Sequence, residues 1–285
     1  MMAEQNGGSN IRDWIGFTET MTELIAARPV AALNATLDRD DVFPGPGDPL
    51  PPLYHWLYFL PLAKTSALDA DGHPRRGGFL PPVTLPRRMW ASSDVTFTGQ
   101  LRIGEEATRI SAVEDVVEKQ GRSGRLVFVT IRHEISSAGG IVLTDRQIVV
   151  YRGENVGEPP PVGKPPPASC DFSRTITPSV TLLFRYSALI FNAHRIHYDH
   201  PFTTGVEGYP GLLVHGPLMA TLLTDLVRCE LPGVSLSRFR FRAVKPVFGN
   251  APFTICGRRD DENAVALWVR DGAGDLCVNA MAELD

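Results

Sequence analysis

The arrangement of apolar and polar positions divides the chain into two stretches that resemble each other. In the first, the runs "ATRISAVEDVVEKQG", "RLVFVTIRHEIS" and "GIVLTDRQIVVYR" follow one another between residues 107 and 152. They are rich in β-branched residues, partly alternating, and separated by glycine-containing turns, which predicts three antiparallel strands. In the second, "VSLSRFRFRAVKPVF", "APFTICGRR", "AVALWVRD" and "GDLCVNAMAEL" repeat the pattern between residues 234 and 284. "SRFRFR" alternates strictly, with serine and phenylalanine on one face and arginine on the other, and "RDGAGD" reads as a hairpin turn.

A helix is expected ahead of each set of strands. "TETMTELIAARPVAALNATL" has helical apolar spacing over 18–37, with Pro29 marking a break or the start of a second helix. "HGPLMATLLTDLVRCELPG" is better marked. Pro217 suits a first helical turn, apolar residues fall at 218, 219, 222, 223, 226 and 227, and "LPG" ends it. A helix followed by an antiparallel sheet, occurring twice, predicts an α+β fold in which each sheet wraps its own helix and the two halves pair edge to edge. Between the halves, "GEPPPVGKPPPAS" places six prolines in thirteen positions, 157–169, and reads as an extended linker. The expected organisation is an N-terminal half over 1–156, this linker, and a C-terminal half over 170–285. Residues 37–93, interrupted by prolines, fit neither half and read as a surface excursion that could cover a ligand groove.

Composition narrows the function. The 285 residues carry a net charge of −4, which argues against a nucleic-acid partner. The four cysteines are scattered, with no CxxC pair, so neither a zinc ribbon nor a disulfide framework is expected and a reducing compartment fits. No apolar run reaches the ~18 residues of a membrane span, and the first residues lack the pattern of a signal peptide. A cytoplasmic location is the expectation. GxSxG and GxxxxGK[ST] are both absent.

The chemistry concentrates in "FNAHRIHYDHP", residues 191–201, which holds three of the seven histidines, with His215 following in "LLVHGP". His194 and His197 are three apart and share a face on a helical turn. A metal site would need His200, His215 or Asp199 to complete it, and no HExxH-like signature is present. Close packing alone is another reading. The acid/base reading draws on the neighbours. Histidine titrates near neutral pH, the Asn192 amide can hold a water, and "HGP" opens a helix whose free N–H groups favour a developing oxyanion. These are the parts required for proton transfer beside a carbonyl.

"FNAHRIHYD" followed by "GYPGLLVHGPLMATLL" resembles the MaoC-like, R-specific enoyl-CoA hydratases and dehydratases. With "GGFLPPVTLPRRMW", "GRSGRLVFVTIRHEI" and "IVVYR", it resembles their two-half branch, the mesaconyl-C4-CoA and itaconyl-CoA hydratases and hydroxyacyl-thioester dehydratases. The resemblance implies a double hot-dog fold and a substrate carried as a CoA or carrier-protein thioester. It calls for no metal and no other cofactor. His197 matches the family's histidine. Asn192 stands where the family has aspartate, and His194 where it has asparagine. The resemblance makes His197 the main acid/base, Asn192 a water positioner and His194 a possible second participant. It assigns the Gly216 N–H to the thioester oxygen and Thr221 to the substrate. Arg87, Arg88 and Arg195 are the candidate cations for a substrate carboxylate or the CoA phosphates.

The implied activity is hydration or dehydration of a short branched dicarboxylic enoyl-CoA. A dehydratase of longer 3-hydroxyacyl thioesters is the alternative within the class. A non-catalytic thioester-binding subunit and a thioesterase are alternatives outside it. The first half would serve as fold partner and pocket wall, and the protein could also form a homo-oligomer.

Overall fold

The computed structural model describes residues 10–121, 124–153 and 163–285. Ten strands form one continuous antiparallel sheet in the order β1-β3-β4-β5-β2-β7-β10-β9-β8-β6. In chain order they are β1 (Thr18–Leu24), β2 (Arg87–Phe97), β3 (Glu106–Gly121), β4 (Gly124–Ser137), β5 (Gly140–Arg152), β6 (Phe172–Ile176), β7 (Leu236–Ala243), β8 (Phe253–Asp261), β9 (Ala264–Arg270) and β10 (Leu276–Leu284). Read outward from the centre of the sheet, the two halves have the same order, β2-β5-β4-β3-β1 and β7-β10-β9-β8-β6. The two half-sheets meet where β2 pairs with β7, in the register Ser93↔Phe241 and Val95↔Phe239.

Alternation explains the seam. Phe239 and Phe241 are buried, whereas Arg238, Arg240 and Arg242, which alternate with them, turn outward. Arg238 crosses the seam to make two bonds with Asp94, at 2.7 and 2.6 Å.

Helix α4 (Gly216–Glu230) lies against the C-terminal half-sheet, touching β8, β9, β10 and β6. All six apolar positions expected of it are buried, Leu218, Met219, Leu222, Leu223, Leu226 and Val227. Its buried Asp225 accepts bonds from Arg39 and Arg174 at 2.7 Å and from Arg228 at 3.1 Å. Two shorter helices, α2 (Val180–Leu189) and α3 (His200–Gly205), precede it.

The N-terminal half departs from the expected pattern. Residues 18–24 form the edge strand β1 rather than the start of a helix, and the helix, α1 (Ala27–Thr36), begins two residues before Pro29. The threonines and glutamates of 18–24 also alternate with period two. The edge of β3 offers that pattern a ladder, with Thr22 Oγ1 2.9 Å from Thr108 Oγ1. The excursion after α1 is only partly superficial. Leu53, Tyr54, Leu57, Tyr58 and Phe59 are buried in the main core, while other parts of it border a cavity. Of the proline-rich segment 157–169, residues 157–162 lie outside the described residues. The rest has no regular secondary structure and meets β10, where the Leu276 N–H donates to Lys164 O. Among the described residues no helix is long and apolar enough to cross a membrane.

Candidate active site

The histidine-rich segment is a tight loop whose bends are set by its own side chains. Helix α2 ends at Leu189, with Ile190 as its cap. Phe191 reverses the chain at φ 50°, a left-handed position that few non-glycine residues adopt, and Asn192 N–H then donates to Ser187 O. The Asn192 Oδ1 accepts the His194 N–H at 2.9 Å. That bond fixes the amide orientation, because only the oxygen can accept, and leaves the Nδ2 group as a donor. A single 3₁₀ turn, Arg195–His197, follows, and Asp199 caps α3 through the Phe202 N–H at 3.0 Å.

His197 is buried, with Nδ1 2.8 Å from Leu213 O. A carbonyl can only accept, so Nδ1 carries the proton and the neutral ring keeps an unprotonated Nε2. Burial, opposed by the Leu213 bond, pushes its pKa down to about 4. The ring stacks on His215 at 3.7 Å. His215 is buried with Nε2 2.8 Å from Ser187 Oγ, and burial and the neighbouring histidines hold it neutral. It therefore supports His197 from behind. Gly216, the first residue of α4, borders the same cavity. Its N–H is among those that a helix leaves without an internal acceptor.

Two further residues arrive from the N-terminal half. Asp71 accepts the His73 backbone N–H through Oδ1 at 2.9 Å and lies 3.0 Å from His73 Nδ1 through Oδ2. The His73 ring lies 3.9 Å from that of His194, which lies 5.5 Å from that of His197. Burial raises the Asp71 carboxyl, but the bonds from His73 outweigh it and hold it below the usual carboxylate range. Burial keeps both His73 and His194 neutral. Backbone contacts lock the two segments together. Arg195 N–H donates to Asp71 O at 2.9 Å, and Gly72, at φ +90°, is packed so closely that a Cβ would overlap the Ala193 carbonyl. Ligand atoms of Asp71, His73 and His194 lie within 4.8 Å of one another, a set that could hold a metal ion. Histidine spacing suggested other ligands, but His200 is exposed and Asp199 is engaged by Arg195.

A cavity of ≈1030 Å³ brings Asn192, His194, His197, Gly216, Arg87 and Arg88 together. Arg87 is engaged by Glu207, donating to its backbone carbonyl at 2.7 Å and pairing with its carboxylate at 3.5 Å. Arg88 has no carboxylate partner among the described residues, and its charge acts on His73, His194 and Tyr151. Two candidates lie off the cavity. Arg195 turns away, bonding Asp199 at 2.7 Å and Ala70 O at 3.0 Å with its guanidinium over Phe202. It braces the loop instead of facing a ligand. Thr221 is buried and returns its hydroxyl to Pro217 O at 2.9 Å, as mid-helix threonines do.

The N-terminal wall of the cavity is more polar than its sequence pattern suggested. The buried Asp145 accepts from Trp56 and Gln147 at 2.9 and 2.7 Å and sits 3.5 Å from His55 Nε2. His133 lies beside it, 2.8 Å from Ser111 Oγ.

Residues 53–249 match the model of the family described as hydroxyacyl-thioester dehydratase type 2. A mesaconyl-C(4)-CoA hydratase of Chloroflexus aurantiacus is 43% identical over 273 residues, covering 95% of this chain and 96% of that protein. A mitochondrial hydroxyacyl-thioester dehydratase type 2 of Schizosaccharomyces pombe is 30% identical over 73% of this chain and 77% of its own. Among solved structures, HtdX of Mycobacterium tuberculosis superposes with a TM-score of 0.65 at 18% identity, covering 93% of this chain and 98% of that one. A MaoC-like dehydratase of Phytophthora capsici gives 0.65 at 15%, covering 96% and 97%. With its repeated strand order and its helix α4 against the C-terminal half-sheet, the chain has the MaoC-like double hot-dog fold and belongs to the hydroxyacyl-thioester dehydratase type 2 family.

Proposed function

We propose that this protein is a hydro-lyase that adds water to, or removes it from, a short branched dicarboxylic enoyl-CoA, with mesaconyl-C4-CoA the first candidate and itaconyl-CoA the second. The observation that carries this reading is the unprotonated Nε2 of His197 set beside the start of α4 in one cavity. The thioester oxygen is held by the Gly216 N–H, where the helix dipole favours the charge that develops on it. A water held by His197 Nε2 and the Asn192 Nδ2 group is aimed at the β-carbon. As its oxygen bonds there, the double-bond electrons move towards the thioester, and a proton is delivered to the α-carbon. The proposed chemistry is proton transfer and charge stabilisation and draws on no cofactor beyond the CoA of the substrate. We assign the free carboxylate to Arg88, a cavity arginine with no carboxylate partner among the described residues. The 43% identity to a mesaconyl-C(4)-CoA hydratase supports this substrate class. The cavity volume keeps a second reading, 3-hydroxyacyl thioesters of longer chain, in the comparison.

The test follows enoyl-thioester absorbance with mesaconyl-C4-CoA, itaconyl-CoA and crotonyl-CoA. Wild type should turn over a dicarboxylic substrate, and His197→Ala should lose ~10²–10⁴-fold in kcat. Equal turnover by the variant refutes the role of His197. Hydration of crotonyl-CoA alone moves the assignment to the longer-chain reading.

A further inference from the structure

We propose that His73, oriented by Asp71, is the acid/base group that carries the proton during turnover, supplied by the N-terminal half to a site whose other parts come from the C-terminal half. This rests on the hydro-lyase reading above.

The argument begins with where a positive charge can rest. The water must give up a proton and the α-carbon must receive one, so some group has to be cationic in between. Asn192 cannot take a proton. His197 can accept a hydrogen bond, but a full proton there would sit buried, stacked on His215 and near His194, with Leu213 O its one hydrogen-bond partner among the described residues. His194 has its backbone tied to Asn192, and the Asp71 carboxylate that acts on its ring is hydrogen-bonded to His73 instead.

His73 differs. Both oxygens of Asp71 are committed to it, one to its backbone N–H and one to Nδ1. A carboxylate behind Nδ1 fixes the tautomer, leaves Nε2 unprotonated and stabilises the imidazolium as it forms. Arg88, Arg76, His194 and His197 also act on His73 or its partner. Arg88 and Arg76 disfavour a resting cation, which keeps the base free until it is used. Asp71 and His73 both border the cavity.

In the hydration direction, the water oxygen forms its bond to the β-carbon while one O–H bond breaks and its proton passes to His73 Nε2. The other water hydrogen stays on the oxygen, pointing to His197 Nε2. The C=C electron pair moves to the α-carbon and thioester oxygen, where the Gly216 N–H meets it. The imidazolium of His73, paired with Asp71, then gives its proton to the α-carbon and returns to neutral. One C–O and one C–H bond form, one O–H bond and the C=C π bond break, and both histidines end as they began.

The full-length variants His73→Ala, His73→Gln and Asp71→Asn test this against wild type on mesaconyl-C4-CoA. Each variant's thermal unfolding should be recorded alongside its kinetics. Both His73 variants should lose ~10²–10⁴-fold in kcat with KM nearly unchanged, and added imidazole should restore turnover to His73→Ala alone. Asp71→Asn, acting through His73, should lower kcat by a smaller factor with KM held. Imidazole rescue is the readout a structural role would not produce. Wild-type kcat in either folded His73 variant overturns the proposal. So does loss without rescue that parallels a fall in Tm. If the His73 variants fail to fold, an unchanged kcat in Asp71→Asn overturns it and a lowered kcat at constant KM supports it. Wild-type activity lost to a chelator and restored by zinc also overturns it, because Asp71, His73 and His194 would then be metal ligands. If wild type itself hydrates none of the three enoyl-CoA substrates, the hydro-lyase reading fails first, and this role fails with it.

Discussion

The contact between the two segments of the site can be broken with one methyl group, at Gly72. The residue has φ +90°, and a Cβ there would overlap the carbonyl of Ala193, which is backbone and cannot rotate aside. An L-residue in the left-handed region costs about 1–2 kcal/mol. To relieve the overlap the 69–73 turn must also retreat from the 191–197 loop. That stretches the Arg195 N–H bond to Asp71 O, at 2.9 Å, and the Arg195 Nη1 bond to Ala70 O, at 3.0 Å. Each is worth about 1 kcal/mol net, so Gly72→Ala should cost about 3–4 kcal/mol by urea unfolding. The same retreat draws Asp71 and His73 away from His194. A displacement near ~1 Å should lower kcat by ~10²-fold. Gly77→Ala is the control. It has the same φ of +90°, but the nearest atom to its Cβ would be Pro82 Cβ at an ordinary 3.6 Å. It should lose only the conformational ~1–2 kcal/mol and keep its kcat. If Gly72→Ala matches Gly77→Ala in both measurements, the close approach of the two segments does not hold the site.

Three other outcomes follow from the same geometry. Arg88→Met should lower kcat/KM for mesaconyl-C4-CoA by ~10–100-fold, the worth of a charged hydrogen bond, and spare crotonyl-CoA; an equal loss on both would remove Arg88 from carboxylate recognition. Asp225→Ala removes a buried carboxylate from Arg39, Arg174 and Arg228. Since those arginines stay partly exposed, the cost should fall at the low end of the ~3–5 kcal/mol of a broken buried pair, read as a lower urea midpoint with kcat intact. Acid should destabilise the fold through His197 and His133, both held at about 4 by burial against an ordinary value of 6.5. Between those values the unfolded chain binds more protons, so this stability is complete above pH 6.5 and is lost as pH falls towards 4, by about 2–3 kcal/mol for His197. His197→Gln should flatten its share of that dependence in urea midpoints measured from pH 4 to 7, and an unchanged slope would show that the ring is not held neutral.

What the chain's pattern revealed follows from how each element is stabilised. Helix α4 and strands β3–β5 and β7–β10 were legible because each buries one face against a large sheet, so the period of the burial is written into the residues. The strand β1 was misread as helix because an exposed edge strand buries little, leaving its threonines and glutamates compatible with either period. Strands β2 and β6 were missed. β2 follows a proline-rich excursion and carries a serine, Ser93, at a buried position, and β6 has five residues. The core turn at 53–59 has no period at all.

The same distinction separates the parts of the site. His194, His197, Asn192 and Gly216 lie within 25 positions of one another, so local spacing could join them. Thr221 and Arg195 were drawn in by the same proximity, although their side chains serve the helix and the loop. Asp71 and His73 lie more than 110 positions upstream, in a segment without periodicity, and only the fold brings them to the loop. "DADGHPRR" did hold a signal: a carboxylate two residues before a histidine, across a glycine, is the spacing at which one aspartate can take both the backbone and the ring N–H of that histidine. Asn192 was legible as an amide where proton transfer would favour a carboxylate. A site that keeps its imidazole but has an amide at that position needs its negative charge from elsewhere. Among the described residues the carboxylate that meets the histidine cluster is Asp71. The departure at 192 and the Asp71–His73 pair are therefore best read as two sides of one substitution in the site's electrostatics. Restoring the charge locally, with Asn192→Asp in an Asp71→Asn background, should recover part of the lost kcat if the two positions serve the same proton.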